Sequence, residues 1–192
     1  MTTPQRKHRY KHLEGKRWIE VRIKSPQQLF DVRDPAPFRE RDLDDDFVEY
    51  VVSSAQEFSA STALKVVIYV EDREPKDLSK EAIKEAIHSY LSYQIELQRG
   101  ALKRFVKRAQ FFLIIGLVFL ASCLALAQKL GPPLLTGSVG ILREGLVIFG
   151  WVSLWKPIEL VLFDWYPLFE RLRLYKKLLT TEVDIRFSQS GL

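Results

Sequence analysis

The sequence predicts an α-helical transmembrane hairpin of two spans. It also predicts a small cytoplasmic α/β domain whose sheet is formed from both ends of the chain. Three observations predict this. Residues 111–127 (FFLIIGLVFLASCLALA) are apolar, uncharged and free of proline, and a second apolar stretch occupies residues 139–163. Strand-like alternation of apolar and polar residues occurs near the N-terminus and again at 182–187, close to the C-terminus. The averages conceal the pattern. A composition of 47% hydrophobic and 28% charged residues, with a mean hydropathy of -0.08, would suit a soluble protein. Here the apolar residues are concentrated between Phe111 and Phe163 and the charges flank them.

Taken in order, residues 1–17 carry Arg6, Lys7, Arg9, Lys11, Lys16 and Arg17 with no apolar core behind them. That is a basic disordered tail and not a secretory signal. Residues 18–78 form the α/β domain. In 18–25 (WIEVRIKS), Ile19, Val21 and Ile23 share one face, the period of a strand. Leu43, Phe47, Val51, Ser54 and Phe58 recur at helical spacing, predicting a helix over 42–59. The run 64–71 (LKVVIYVE) is rich in β-branched residues and reads as a more buried strand. Strand, helix, strand is the order of a crossover unit with parallel strands.

Residues 79–110 form a cytoplasmic helix leading into the membrane. No proline interrupts 79–127, and Ile83, Ile87, Tyr90, Gln94, Leu97, Ala101 and Phe105 trace one stripe. Asp77 or Ser79 caps its start, and Gly100 is the place for a bend. The hairpin occupies 111–163. Roughly 20 apolar residues cross a hydrocarbon core of about 30 Å. The second span, 141–163, contains Arg143, Glu144, Lys156, Pro157 and Glu159. Arg143 and Glu144 are placed at the outer interface, with Lys156 snorkelling toward the inner one. The alternative is a span that ends near Trp155, only 15 residues from Ile141 and short for a crossing, with the remainder lying along the membrane surface. Ala121 and Ala125 supply a small-residue helix-packing spacing in the first span. In 164–192, Asp164 caps a basic amphipathic helix with Leu168, Leu172, Tyr175 and Leu179 on one stripe. That helix rests on the headgroups or packs on the long helix. The strand 182–187 (EVDIRF) then returns to the cytoplasmic domain, because an isolated strand would bury nothing.

Charge sets the orientation. Arg99, Lys103, Arg104, Lys107 and Arg108 precede the first span and Arg171, Arg173, Lys176 and Lys177 follow the second, whereas the connection at 128–142 holds only Lys129. Basic flanks stay inside, so both termini are expected in the cytoplasm. The net charge of +5 and pI near 9.3 are accounted for by anionic lipid headgroups, and no nucleic acid is expected. The lone cysteine, Cys123, excludes an internal disulfide or a cysteine-based zinc site.

No motif for phosphate, dinucleotide, zinc or nucleophilic chemistry is present. No catalytic, cofactor or metal residue is therefore assigned, and a non-enzymatic protein is expected. The acidic run Asp42, Asp44, Asp45, Asp46 resembles the start of a calcium loop. It fails at position six (Phe47 for glycine) and at position twelve (Ser53 for glutamate), and reads as a helix N-terminus. His8 and His12 lie four apart in a basic tail without further ligands, and His88 falls on a polar helix side. The candidate intramembrane polar residues are Arg143, Glu144, Lys156 and Glu159. Lys156 and Glu159, three apart, are placed to pair. The loop 29–41 (LFDVRDPAPFRER) is the candidate partner-docking loop, with Phe30, Asp34 and Phe38 as its contacts.

Three stretches, LFDVRDPAPFRERDLD, LREGLVIFGWVSLWKPIELVLFDWYPL and RLYKKLL, together resemble a family of uncharacterised bacterial membrane proteins with two spans and a small cytoplasmic domain. The resemblance covers residues 18–179. It implies a bacterial cytoplasmic (inner) membrane location and carries over no catalytic residue. The expected role is presentation of the cytoplasmic domain for partner binding, anchoring or assembly, with a protein partner or homo-oligomer. The alternative expectation is an oligomeric ion or small-solute pathway using the polar residues of the second span.

Overall fold

The computed structural model describes residues 10–37, 41–72, 78–131 and 137–188. The chain divides into two compact units, 1–97 with 171–192, and 98–170.

The first unit is a four-stranded sheet with helices packed on one face. Its strands are β1 (His12–Leu13), β2 (Lys16–Ile23), β3 (Leu64–Val70) and β4 (Glu182–Phe187), in the order β1-β2-β3-β4. β1 is antiparallel to β2, while β2, β3 and β4 run parallel. The C-terminal strand thus joins the sheet, beside β3. Order also begins earlier than the sequence predicts for a tail ending at 17. Tyr10 is buried, its ring edge-on to Phe58 at 4.9 Å. Glu14 and Gly15 both take left-handed φ values, 54° and 72°. Two such residues make the hairpin turn that matches strand twist, and they fold Leu13 back onto Lys16.

The register sorts every side chain. Val21, Ile68 and Ile185 form one row across the parallel strands, flanked by Ile19–Val66–Val183 and Ile23–Val70–Phe187. These rows face the helices. Helix α1 (Asp45–Gln56) packs Val51 and Ala55 into the core. It starts three residues later than predicted because Leu43 is used in an antiparallel bridge to Phe30. Asp44 is the cap, its Oδ1 accepting from the Phe47 amide at 3.1 Å. Helix α2 (Lys80–Lys129) is capped by Ser79, whose Oγ accepts from the Ala82 amide at 3.2 Å. It continues unbroken through Gly100 for 50 residues, about 75 Å at 1.5 Å per residue. Its Ile83, Ala86, Ile87 and Leu91 enter the same core. So do Leu174 and Leu178 of the last helix, α5 (Tyr166–Leu179). Of the two alternatives left open for that helix, core packing accounts for its C-terminal half.

The second unit comprises the rest of α2, α3 (Ser138–Val152), α4 (Trp155–Glu159) and the first residues of α5. Residues 132–136, the paired prolines of the connection, lie outside the described residues; Gly131 and Gly137 on either side have positive φ. By length and composition, Lys80–Lys129 and Ser138–Leu179 are both long and apolar enough to cross a membrane. The second is irregular for a local reason. Pro157 has no amide to offer the carbonyl four residues back. The chain tightens there, and Leu154 N bonds Trp151 O at 3.1 Å. A π turn at Leu160–Asp164 follows. The backbone therefore passes through Asp164 in helical form, and Asp164 does not begin a new helix as predicted.

The helices of this unit meet on a small-residue seam. Ala109, Gly116 and Cys123, seven apart, are buried, as are Gly150, Leu154 and Pro157 opposite. A Cβ on Gly116 would lie 3.0 Å from Leu154 Cδ2 and 3.2 Å from the Ser153 carbonyl oxygen. Ala121 and Ala125, the predicted packing pair, are exposed; the seam lies on another face.

Candidate functional site

The face of the sheet opposite the helices is built from the alternate residues of the same strands. Register places Trp18–Lys65–Glu182 in one row, Glu20–Val67–Asp184 in the next and Arg22–Tyr69–Arg186 in the third. None of these side chains belongs to the helix-packed core. They order one another instead. Lys65 Nζ lies 2.6 Å from Glu182 Oε1 and 5.4 Å from the centre of the Trp18 ring. The Arg186 guanidinium covers the same ring at 5.2 Å and the Tyr69 ring at 5.8 Å. Two cations thus lie over the Trp18 ring, and each gains from its electron-rich face. Lys16 donates to Glu182 at 2.7 Å, and Arg186 pairs with Asp184 at 3.0 Å. Lys11 and the Tyr69 hydroxyl both donate to Glu20 Oε1 at 2.9 Å. Lys11, Glu20, Val21, Arg22 and Tyr69 line an open cleft of about 300 Å³ beside this network.

The electrostatics follow the pairing. Hydrogen bonds from Lys16 and Lys65 hold the Glu182 carboxyl down at about 2. Burial would raise Glu20, but the bonds from Lys11 and Tyr69 outweigh it and lower it. The Glu182 bond raises Lys65 in turn. Carboxylates therefore answer most of the cations here. The face is a mixed-charge surface with an aromatic centre. The Trp18 indole Nε1 is buried without a hydrogen-bond partner among the described residues.

The sequence-predicted residues lie elsewhere. Phe30 is 2% exposed and sits in the core, so it does not anchor a partner from a surface loop. Leu29 and Phe30 fill the space under α1, and the loop is pinned beneath them. Asp31 N donates to Asp42 O, and Asp44 N to Leu29 O, both at 2.9 Å. Asp34 closes this loop from inside. Its carboxylate accepts from the amides of Asp42 at 2.7 Å and Ala36 at 2.9 Å, which lowers its pKa. Asp34 is spent on the chain itself, and Phe38 lies outside the described residues. Among the described residues of the loop, the large apolar side chain left exposed is Val32.

In the second long apolar helical stretch, Lys156 and Glu159 pair at 3.0 Å across one helical turn. Both side chains remain substantially exposed on the helix surface. Glu144 is exposed near the start of α3. Arg143 is half-buried, with a buried Nε that has no partner among the described residues. None of the four lines the groove formed by Phe105, Ala109, Gln110, Val161 and Trp165. Sequence reasoning missed the sheet's polar face. The alternation that revealed the strands also marked its members, but their meeting depends on a register linking residues 18, 65 and 186. No family model, no curated protein and no solved structure matches the chain.

Proposed function

We propose that the protein is a two-span, non-enzymatic protein of the bacterial inner membrane with both ends in the cytoplasm. Its α/β unit docks a protein partner on the face of the sheet opposite the helices, as an anchor or assembly factor. The observation that carries this reading is the second face of the sheet, where β2, β3 and β4 carry an ordered array of Trp18, Lys65, Tyr69 and Arg186 in place of the helices of the first face. Trp18 and Lys65 are each 8% exposed and Val67 is buried, so the array closes over the strands, while Arg22, Glu182 and Arg186 stay exposed around it. Aromatic and arginine side chains are the types enriched at protein interfaces. Their rotamers here are already fixed by ion pairs, which lowers the ordering cost of docking. The exposed apolar residues of 111–169, including Phe111, Ile114, Phe149 and Phe163, support burial in lipid.

The test is a photo-crosslinking residue placed at Tyr69 or Arg22 in the full chain, in native membranes. Lys84, exposed on the helix side, is the control. Adducts of one defined mass at the sheet positions, absent at Lys84 and lost on Arg186→Glu, are the expected result. An adduct of twice the chain's mass identifies the partner as a second copy. Equal labelling at all three positions, or none, overturns the docking reading. A C-terminal tag that reacts with a membrane-impermeant reagent in intact cells overturns the topology.

A further inference from the structure

We infer that one anionic phospholipid of the inner leaflet binds in a groove of the second unit. Its acyl chain would lie between α2 and the π turn, and its headgroup against Arg99 and Lys103. The inference rests on the membrane reading above.

The groove is about 340 Å³, lined by Phe105, Val106, Ala109, Gln110 and Leu113 of α2 and by Val161 and Trp165. Its wall is hydrocarbon apart from two groups, the Gln110 amide and the Trp165 indole. Both carry N–H donors of the kind that meet glycerol esters at a membrane interface. The reason for the gap is visible in the chain. Ala109 is small and 7% exposed, and the π turn displaces Val161 and Trp165 from regular helical spacing. Lipid is the solvent around such a segment, so an apolar recess of this size fills with an acyl chain.

Charge selects the headgroup. Between Glu96 and Glu144 there is no acidic residue, while Arg99, Lys103, Arg104, Lys107, Arg108, Lys129 and Arg143 all fall within that interval. Among the described residues, none of the five cations from Arg99 to Arg108 has a carboxylate within ion-pair distance. The sheet face is different, because its lysines and Arg186 are matched by Glu20, Glu182 and Asp184. The cations of α2 are also not equivalent. Arg99, Lys103, Val106, Gln110 and Leu113 follow one another at intervals of four, three, four and three, a single stripe on a helix. Two cations therefore continue the groove's own face toward the cytoplasm. Arg104 and Arg108, also four apart, lie on the opposite side of α2. They are nearer the apolar run, which begins at Phe111.

The experiment reconstitutes the full chain in phosphatidylcholine vesicles. Spin-labelled phosphatidylglycerol and spin-labelled phosphatidylcholine are compared by the fraction of each immobilised on the protein. Phosphatidylglycerol is expected to be held more strongly. The preference should fall by roughly fivefold for each cation removed from the headgroup's reach, so Arg99→Gln with Lys103→Gln brings it close to unity. Arg104→Gln with Arg108→Gln removes the same charge and is expected to leave most of the preference. Val106→Phe, at a groove position that is 45% exposed and outside the helix seam, fills the recess and removes the tightly held lipid without disturbing packing.

Equal losses for the two double variants, or a larger loss for Arg104 and Arg108, would show general surface attraction and overturn the site. So would a wild-type chain that holds the two lipids equally. A chain that fails to float with the vesicles refutes membrane insertion instead, a separate result.

Discussion

Truncating Ile185 to alanine tests whether the last strand of the chain seals the domain. Ile185 is 2% exposed, on β4, in the row with Val21 and Ile68 that faces the helices. The change removes three carbons, about 2.4 kcal/mol at roughly 0.8 kcal/mol per buried methylene. The unfilled space adds to that, within the range of about 2–5 kcal/mol seen for such truncations. A loss near 3 kcal/mol is a large share of the 5–15 kcal/mol typical of a domain. The neighbouring Arg186 points to the other face and is exposed, so Arg186→Ala should cost under about 1 kcal/mol. Hydrogen exchange read by mass spectrometry on the full chain in detergent is the assay. Ile185→Ala should speed exchange in β3 as well as β4, because β3 is paired with β4 over Lys65–Val70. Comparable effects of the two substitutions, or acceleration confined to 182–187, would refute the claim that both chain ends share one cooperative core.

Three other outcomes follow from the same contacts. The Glu182 carboxyl, held at about 2 against an ordinary 4.5, contributes stability that is fully present above pH 4.5 and is lost as pH falls toward 2; wild type should therefore lose more melting temperature over that window than Glu182→Gln. Phe30→Ala should destabilise the first unit by about 3–5 kcal/mol in urea, whereas Val32→Ala, at 91% exposure, should stay within about 0.5 kcal/mol; the reverse order would restore Phe30 as a surface contact. Gly116→Ala and Gly150→Ala should each weaken the helix seam more than Gly145→Ala, measured as helicity lost on titration with a denaturing detergent. At Gly116 the new methyl meets Leu154 Cδ2 at 3.0 Å and the Ser153 carbonyl oxygen at 3.2 Å, at Gly150 it meets Leu120 Cδ1 at 2.8 Å and Cys123 Cβ at 3.2 Å, and at Gly145 it meets nothing within 4 Å.

What the sequence made legible was whatever a single segment encodes in its own period. Residues 182–187 read as a strand because Val183, Ile185 and Phe187 alternate, and β4 spans that interval. The long helix was legible because nothing between Ser79 and Ala127 breaks it, and α2 runs from Lys80 to Lys129. What stayed hidden depends on relations between segments. Phe30 sits in a loop rich in both signs of charge, and its burial follows only from a bridge to Leu43 that local composition does not announce. Ala121 and Ala125 have the spacing of a packing motif. The seam falls instead on Ala109, Gly116 and Cys123, because the partner presents Gly150 and Pro157 to that side. The sheet's outer face is the clearest instance. In one dimension Trp18, Lys65 and Glu182 are a strand's ordinary polar positions, which any solvent-facing sheet would have. Only the parallel register brings a tryptophan under a lysine whose charge is met by a carboxylate more than a hundred residues away. The array is more than a solvated face, because Trp18 and Lys65 are each only 8% exposed and Val67 beneath them is fully buried. Pairing Lys65 with Glu182 therefore meets the cost of burying a charge, and the same contacts that satisfy it order the second face of the sheet.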